Sequence, residues 1–280
     1  MKISLTTIII AKDEELMIEN CLKCLQWCKK IILINNGSSD KTTKIAENFN
    51  IQVINYADES FSNLRNEALK YVETEWLMYV DPDERITPTL AKEIAVQIET
   101  SDANALTMHR ENMNYGKIFI GGGWEQDYVT RAFRKKSFKE WTGDIHESAG
   151  YNGKDQLLKS SLIHLTHRNT HGGMKKTTNW TKQEAELLAK AIKKKVNSFT
   201  LIRKGGMEML RRYIFKKGYR DGIEGFIESL FQAINKVLIY MQVWELQQKP
   251  SLTQKYQRRE LEINELWKKN ENEISLKLRK

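Results

Sequence analysis

Apolar residues in the first hundred positions come in short continuous runs, each cut off by a polar cluster. Ile3 to Ile10, Ile31 to Ile34, Ile51 to Ile54 and Trp76 to Val80 are such runs. Four to eight residues rich in β-branched and aromatic side chains fit strands buried on both faces. Between them the spacing predicts helices from Asp13-Glu14-Glu15 to about Lys29, through Ile45 and Phe49, and from Ser62 to Val72. Another helix starts at Thr87-Pro88 and ends near Ile98. Strand and helix alternate four times, the pattern of a parallel, doubly wound α/β sheet. The polar clusters Asp13-Glu14, Asn36 to Asp40 and Asp81 to Glu84 all follow strands. They are therefore expected along one sheet edge, where ligands of open α/β sheets bind.

Beyond Ile98 the pattern becomes irregular and β-like, with strands expected at Ala105 to Arg110, Gly116 to Ile120 and Thr130 to Arg134. Gly121-Gly122-Gly123-Trp124 interrupts it and is read as a loop shaping a pocket. From Thr178 the chain reads as helix. Ile227, Leu230, Phe231, Ile234, Val237, Leu238, Met241 and Trp244 form one apolar stripe at three- and four-residue spacing. Arg203, Lys204, Arg211, Arg212, Lys216, Lys217 and Arg220 precede it. A basic segment followed by an amphipathic helix can lie on an anionic bilayer surface; the alternative is that the stripe packs on the rest of the chain or on another subunit. The expected organisation is a catalytic domain over residues 1–200 and a basic amphipathic helical extension over residues 201–280, its last part a solvated helix or frayed tail.

Charge sharpens that division. Residues 1–100 carry 11 Lys and Arg against 16 Asp and Glu, and the remainder 34 against 20, within a net charge of +9. The front can hold a cation, the back can meet something anionic. Apolar runs are strand-length, short of the roughly 20 residues of a membrane span, and Met1 to Ile10 leads into a strand rather than a cleavage site. A cytoplasmic protein that can sit peripherally on the inner face of the plasma membrane is the expectation. Cys21, Cys24 and Cys28 fall on one face of the first predicted helix with no fourth ligand nearby, so they are read as packed thiols.

The stretch Trp76 to Pro88 concentrates the chemistry. A buried strand delivers Asp81 and Asp83 to the sheet edge, and Pro82 cannot continue the ladder. Two carboxylates at this spacing suit a hard cation, Mg²⁺ or Mn²⁺, that keeps part of its shell for water and phosphate. The same Asp-Pro-Asp also makes a turn, and Thr87-Pro88 is helix-start chemistry.

Four segments, Thr7 to Glu15, Asn35 to Thr42, Arg65-Asn66 and Val80 to Arg85, together resemble the family 2 glycosyltransferases of GT-A fold in order and spacing. Gly123-Trp124, Arg131 to Arg134, Gly143-Asp144-Ile145-His146-Glu147 and Gly218 to Gly222 are similar to the branch that includes lipopolysaccharide-core glucosyltransferases. The resemblance implies a nucleotide-diphospho-sugar transferase fold, a mostly parallel sheet flanked by helices with a C-terminal helical extension. It implies a nucleotide-diphosphate sugar donor, with UDP the expected nucleotide, and inversion at the anomeric carbon. Asp83 would bind the metal and Asp81 the ribose or the same metal. Glu14, Asn36 and Asp40 would serve the base and ribose, with Arg65 close to the nucleotide. The family usually has an aspartate near Asn36, and an amide can still accept a hydrogen bond there. Asp144 and Glu147 flank His146 as candidate bases for the acceptor hydroxyl, with Glu147 favoured and His146 positioning the base, touching the diphosphate or joining the metal. Trp124 stacks on a sugar or closes the core, and His164 and His167 are structural or near the diphosphate. The acceptor would be a cell-envelope glycan or a lipid-linked molecule.

Two other classes compete. A nucleotidyltransferase would carry a Gly-rich phosphate loop after its first strand, and Ala11 to Glu15 is not one. A binding protein without transferase activity, for nucleotide sugars or nucleic acid, fits the basic back half, yet no nucleic-acid motif is present and acidic clusters at the sheet edge repel phosphate; no nucleic-acid partner is expected.

Overall fold

The computed structural model describes residues 3–143 and 147–278, and side chains other than those of residues 176, 179 and 272–278. The chain divides into two compact units, residues 1–176 with 210–229, and residues 177–209 with 230–280.

The first unit begins with the expected alternation: β1 (Ile3–Ala11), α1 (Ile18–Lys23), β2 (Cys28–Asn35), α2 (Thr42–Glu47), β3 (Gln52–Asn55), α3 (Phe61–Leu69) and β4 (Trp76–Tyr79). β5 (Glu84–Ile86) and α4 (Pro88–Thr100) follow, then β6 (Ala105–Asn114), β7 (Lys117–Ile118), β8 (Tyr128–Arg134), β9 (Phe138–Thr142), β10 (Ser148–Tyr151), β11 (Asp155–Leu157) and β12 (Leu162–His164). Among the described residues the main sheet runs β3-β2-β1-β4-β8-β6-β12-β5, with β7 and β11 on β6, and β9-β10 form a separate hairpin. β3, β2, β1 and β4 are parallel, and β8 then enters antiparallel between β4 and β6. This mixed sheet with flanking helices is the GT-A architecture the resemblance implied.

Continuous apolar strands are needed because both faces are covered. Ile9, Leu33, Trp76 and Met78 turn to the layer holding Ile18, Leu22, Ala46, Leu90 and Ile94 of α1, α2 and α4. Their alternates Ile8, Ile32, Ile34, Leu77 and Tyr79 turn to Leu64 and Ala68 of α3 and to Trp141 of β9. Thr87 caps α4 through Leu90 N at 3.2 Å, with Pro88 in its first turn, so the helix-start reading of that pair holds.

The first predicted helix is much shorter than its apolar spacing suggests. α1 ends at Lys23, and pairing of Cys28 with Ile3 draws the chain into β2. Cys28 therefore lies on a strand rather than on a helical face with Cys21 and Cys24. Burial raises the Cys21 and Cys24 thiols above their ordinary value, as befits packed groups.

The second unit contains α5 (Thr170–Ala191) from residue 177 onward, α6 (Ser198–Leu210) up to residue 209, α7 (Gly222–Leu246) from residue 230, and α8 (Leu252–Leu278). Its core is Ala185, Val196, Ile239, Tyr240 and Val243. The face of α7 turned inward is thus the one carrying Ile239, Tyr240 and Val243. Of the predicted stripe Phe231 is buried, whereas Leu230, Ile234, Leu238, Met241 and Trp244 remain substantially exposed. Among the described residues no helix is long and apolar enough to cross a membrane.

Candidate active site

The carboxyl ends of β1, β2 and β4 hold the three polar clusters as their strand positions require. Asp13 adopts a left-handed backbone (φ 55°), which aspartate tolerates better than most residues. Its Oδ1 accepts the Ser39 N–H at 2.6 Å and the Asp40 N–H at 3.3 Å. Asp40 accepts the N–H of Glu15 at 2.9 Å and of Thr42 at 2.8 Å. The loops after β1 and β2 are thereby tied together. The Ser39 N–H holds the exposed Asp13 carboxyl below its ordinary value; for Asp40, burial raises the carboxyl but the Thr42 hydroxyl and N–H outweigh it.

Two cavities flank the Asp81-Pro82-Asp83 turn. One, of about 440 Å³, is lined by Asp13, Glu14, Leu16, Met17, Asp83, Thr166, Arg168, Asn169 and Gly172. The other, of about 540 Å³, has Arg65, Asp81, Arg110, Arg131, Trp141, Glu147 and Tyr151 among its lining. Asp81 and Asp83 therefore open into different cavities, though they are two residues apart. Asn36 and Asp40 line neither: Asn36 Oδ1 accepts the Asp58 N–H at 3.0 Å, and Asp40 serves the loops.

Asp83 owes its surroundings to β12. The antiparallel register pairs His164 with Glu84, which sets the ring beside the preceding residue. His164 Nε2 stands 3.5 Å from Asp83 Oδ2, and Nδ1 lies 2.7 Å from Asn112 Oδ1. Asn112 Nδ2 donates to Asp127 at 2.8 Å, which fixes the amide so that its oxygen faces the ring. Nδ1 must then be the donor, and Nε2 is directed at the Asp83 carboxylate. Two electron-rich atoms at that separation call for a proton or a cation between them. A ring held through its second nitrogen is the usual support of a metal-ligating histidine. Among the described residues no group of three or more His, Cys, Asp or Glu side chains could hold a metal. An Asp–His pair nevertheless fits Mg²⁺ or Mn²⁺, which take much of their shell from phosphate and water.

Asp81 is held by cations. Arg131 Nη2 donates to it at 2.6 Å and Arg65 Nη2 lies 3.8 Å away. Burial alone would raise the Asp81 carboxyl, but Arg131 and Arg65 outweigh it and hold it below the ordinary range. Arg131 also donates to the fully buried Glu84, which Arg110 approaches at 3.3 Å. Burial pushes Glu84 upward.

Arg65 on α3 meets Glu147 in an ion pair and lies over the Trp141 ring at 4.5 Å. Asn66 explains how the two sequence-distant residues meet. Its side chain accepts the Trp141 N–H at 2.8 Å and donates to the Trp141 carbonyl at 2.9 Å, fastening the β9-β10 hairpin to α3. The candidates Asp144 and His146 lie outside the described residues. Trp124 presents its ring edge to His167 at 5.9 Å and lines neither cavity.

Arg131, His164 and Arg168 are site residues that the strand-end pattern does not place, although His164 is expected from the sequence to be structural or near the diphosphate. Only pairing of β12 with β5 and of β8 with β4 brings the first two to the Asp-Pro-Asp turn. Among the described residues Arg168 has no carboxylate partner; its guanidinium lies 3.7 Å from Met17 Sδ beside the cavity that contains Asp83.

Among curated proteins, the chain is 27% identical over 142 residues to a TPR repeat-containing protein of Synechococcus elongatus, covering 50% of this chain and 34% of that protein, so the match spans about a third of that relative. It is 20% identical over 256 residues to the lipopolysaccharide core biosynthesis glycosyltransferase LpsC of Rhizobium meliloti, covering 87% of this chain and 93% of that one. Among solved structures, S. aureus TarS 1-349 in complex with UDP-GlcNAc matches at 13% identity and a TM-score of 0.45, covering 90% of this chain and 93% of that one. The glycosyl transferase family 2 model matches residues 6–154, just over half of the sequence, and the chain belongs to that family of glycosyltransferases.

Proposed function

We propose that this glycosyltransferase moves a hexose, with inversion and with a divalent metal, from a nucleotide-diphosphate sugar to a cell-envelope glycan or lipid-linked acceptor. The observation that carries the reading is Asp83, which lines a cavity together with Asp13, Glu14 and Arg168 and is backed by His164 Nε2 at 3.5 Å. A carboxylate backed by a ring nitrogen, with a guanidinium lining the same cavity, suits a metal–diphosphate rather than a neutral sugar. UDP is the expected nucleotide, in keeping with the UDP-GlcNAc bound by TarS and the UDP bound by glucosyl-3-phosphoglycerate synthase from Mycobacterium tuberculosis. The envelope acceptor follows the name of LpsC.

Asp83 and His164 would hold Mg²⁺ or Mn²⁺, which would stabilise the charge growing on the departing diphosphate. Arg168 would add a second counter-charge from the protein. On the other side of the turn, Glu147 takes the proton of the acceptor hydroxyl while Arg65 fixes its direction. Arg131 and Arg65 keep Asp81 ionised, so that it can accept hydrogen bonds from ribose or sugar hydroxyls. A single attack opposite the leaving group inverts the anomeric carbon. The basic back half and exposed apolar residues support work against an anionic membrane surface.

The test is release of nucleoside diphosphate from UDP-hexoses, with Mn²⁺, in the presence of envelope extract. Labelled hexose should enter the extract with wild-type protein and not with Asp83→Asn. Transfer that survives Asp83→Asn and metal chelation would overturn the metal-dependent reading.

A further inference from the structure

The segment 210–229 belongs to the same unit as the candidate active site, and its contacts show how firmly it is seated there. Residues 211–215 form a π-helical turn, 218–221 a 3-10 turn, and α7 begins at Gly222. Gly122 donates its N–H to Lys216 O at 2.7 Å, and Arg212 Nη1 donates to Gly122 O at 3.1 Å. Asp221 accepts the Ile120 N–H at 2.9 Å, and Lys117 Nζ donates to its carbonyl at 2.8 Å. His167 Nδ1 lies 2.8 Å from Glu228 Oε2. The glycine run is therefore a seat for this turn rather than the wall of either cavity described above: a Cβ on Gly121 would stand 2.3 Å from Lys217 O.

So firm a mount is at odds with what the segment leaves in water. Phe215 is 72% exposed, Ile223 64% and Tyr219 51%, with Ile214 and Phe226 also exposed. Tyr213 joins Tyr219 and Phe226 edge to face at 6.4 and 5.5 Å. Ile223, Phe226 and Ile227 are neighbours on one helix face. A cluster of this kind on a rigid turn marks an interaction surface.

Its charges select the occupant. Arg211, Lys217 and Arg220 are exposed, while two of the segment's three acids, Asp221 and Glu228, are buried. What faces outward is therefore cationic and apolar together, with aromatic rings that suit a headgroup boundary. A second copy of the chain would bring like charges together in a self-complementary dimer. We infer that the 211–227 turn of the catalytic unit is the surface that docks on an anionic lipid bilayer. This inference rests on the envelope-acceptor reading and places the attachment on the catalytic unit itself.

The experiment is flotation of the full chain with phosphatidylcholine vesicles that contain or lack phosphatidylglycerol, read beside the thermal shift with UDP and Mn²⁺. Wild type should float with the anionic vesicles and lose that association at high salt. Phe215→Ser with Tyr219→Ser should weaken binding at least tenfold. Lys217→Gln and Arg220→Gln should each cost about fivefold, while Leu230→Ser with Ile234→Ser on the exposed stripe of α7 should leave binding unchanged. An unaltered UDP–Mn²⁺ shift in all these variants would show that the fold and donor site are intact, so loss of flotation and failure of the donor reading are separately visible. Absence of wild-type flotation, flotation indifferent to the turn variants, flotation lost only in the α7 variant, or self-association through the turn would each overturn the inference.

Discussion

Arg131 and Glu84 form a buried ion pair between β8 and β5, with Glu84 fully shielded from solvent. Arg131 donates to Asp81 as well, so one guanidinium neutralises two carboxylates on the turn that carries Asp83. Removing it strands charge in the interior. Arg131→Met should therefore cost about 3–5 kcal/mol of stability, measured by urea denaturation. Arg131→Met combined with Glu84→Leu should recover part of that loss, because the buried charge left without its partner is then removed too.

Glu147 should matter to turnover and not to donor binding. Glu147→Gln keeps the shape and removes the basicity, and loss of a general base typically lowers rate by about 10²–10⁴-fold. Steady-state transfer assays would read the loss, and UDP titration would show unchanged affinity. Equal loss of both would point to a structural part for the Arg65–Glu147 pair.

Much of this site follows from the sequence, for an identifiable reason. Asp13, Glu14, Asp81 and Asp83 stand at the ends of β-strands whose apolar runs define where the strands stop, so local pattern is enough to put them at the sheet edge. Arg65 and Glu147 are brought together by Asn66 gripping the backbone of Trp141, a tertiary contact that no periodicity announces. His164 arrives through the register of a three-residue strand, Leu162–His164, too short to be recognised locally. Asp40 is the opposite case: a carboxylate at a strand end that the chain uses to join two loops. The exposed stripe of α7 shows the limit of amphipathic spacing, which locates an apolar face without saying that the face is covered.

The loop-tying carboxylates set an acid limit. Asp13 and Asp40 titrate below their unfolded value of about 3.9. A depressed folded value contributes stability that is fully present above the unfolded value and lost as pH falls through the folded one. Hydrogen exchange of the Ser39 and Asp40 amides, whose N–H groups Asp13 holds, should therefore accelerate as pH drops below about 4 relative to the intrinsic rate. Asp13→Asn should already show fast relative exchange at neutral pH.

Close packing of the 210–229 segment gives a further test. A Cβ on Gly225 would lie 2.0 Å from Gly218 O, a backbone atom that cannot rotate away. Gly225→Ala should destabilise by about 1–3 kcal/mol, seen as a lower urea midpoint. Gly206→Ala on α6 has open space around it, with nothing within 4 Å, and should stabilise by up to about 1 kcal/mol through helix propensity.

The most direct measurement is a thermal-shift panel of UDP, GDP, CMP and dTDP, each with and without Mn²⁺, on wild type, Asp83→Asn and His164→Gln. A ligand that binds only the native state raises the melting temperature according to its concentration over its dissociation constant. UDP should stabilise wild type when Mn²⁺ is present and little without it, and both variants should lose that metal-dependent increment. An equal UDP shift with and without metal, or a metal-dependent shift that survives in both variants, would contradict the assignment of Asp83 and His164 to the donor's metal.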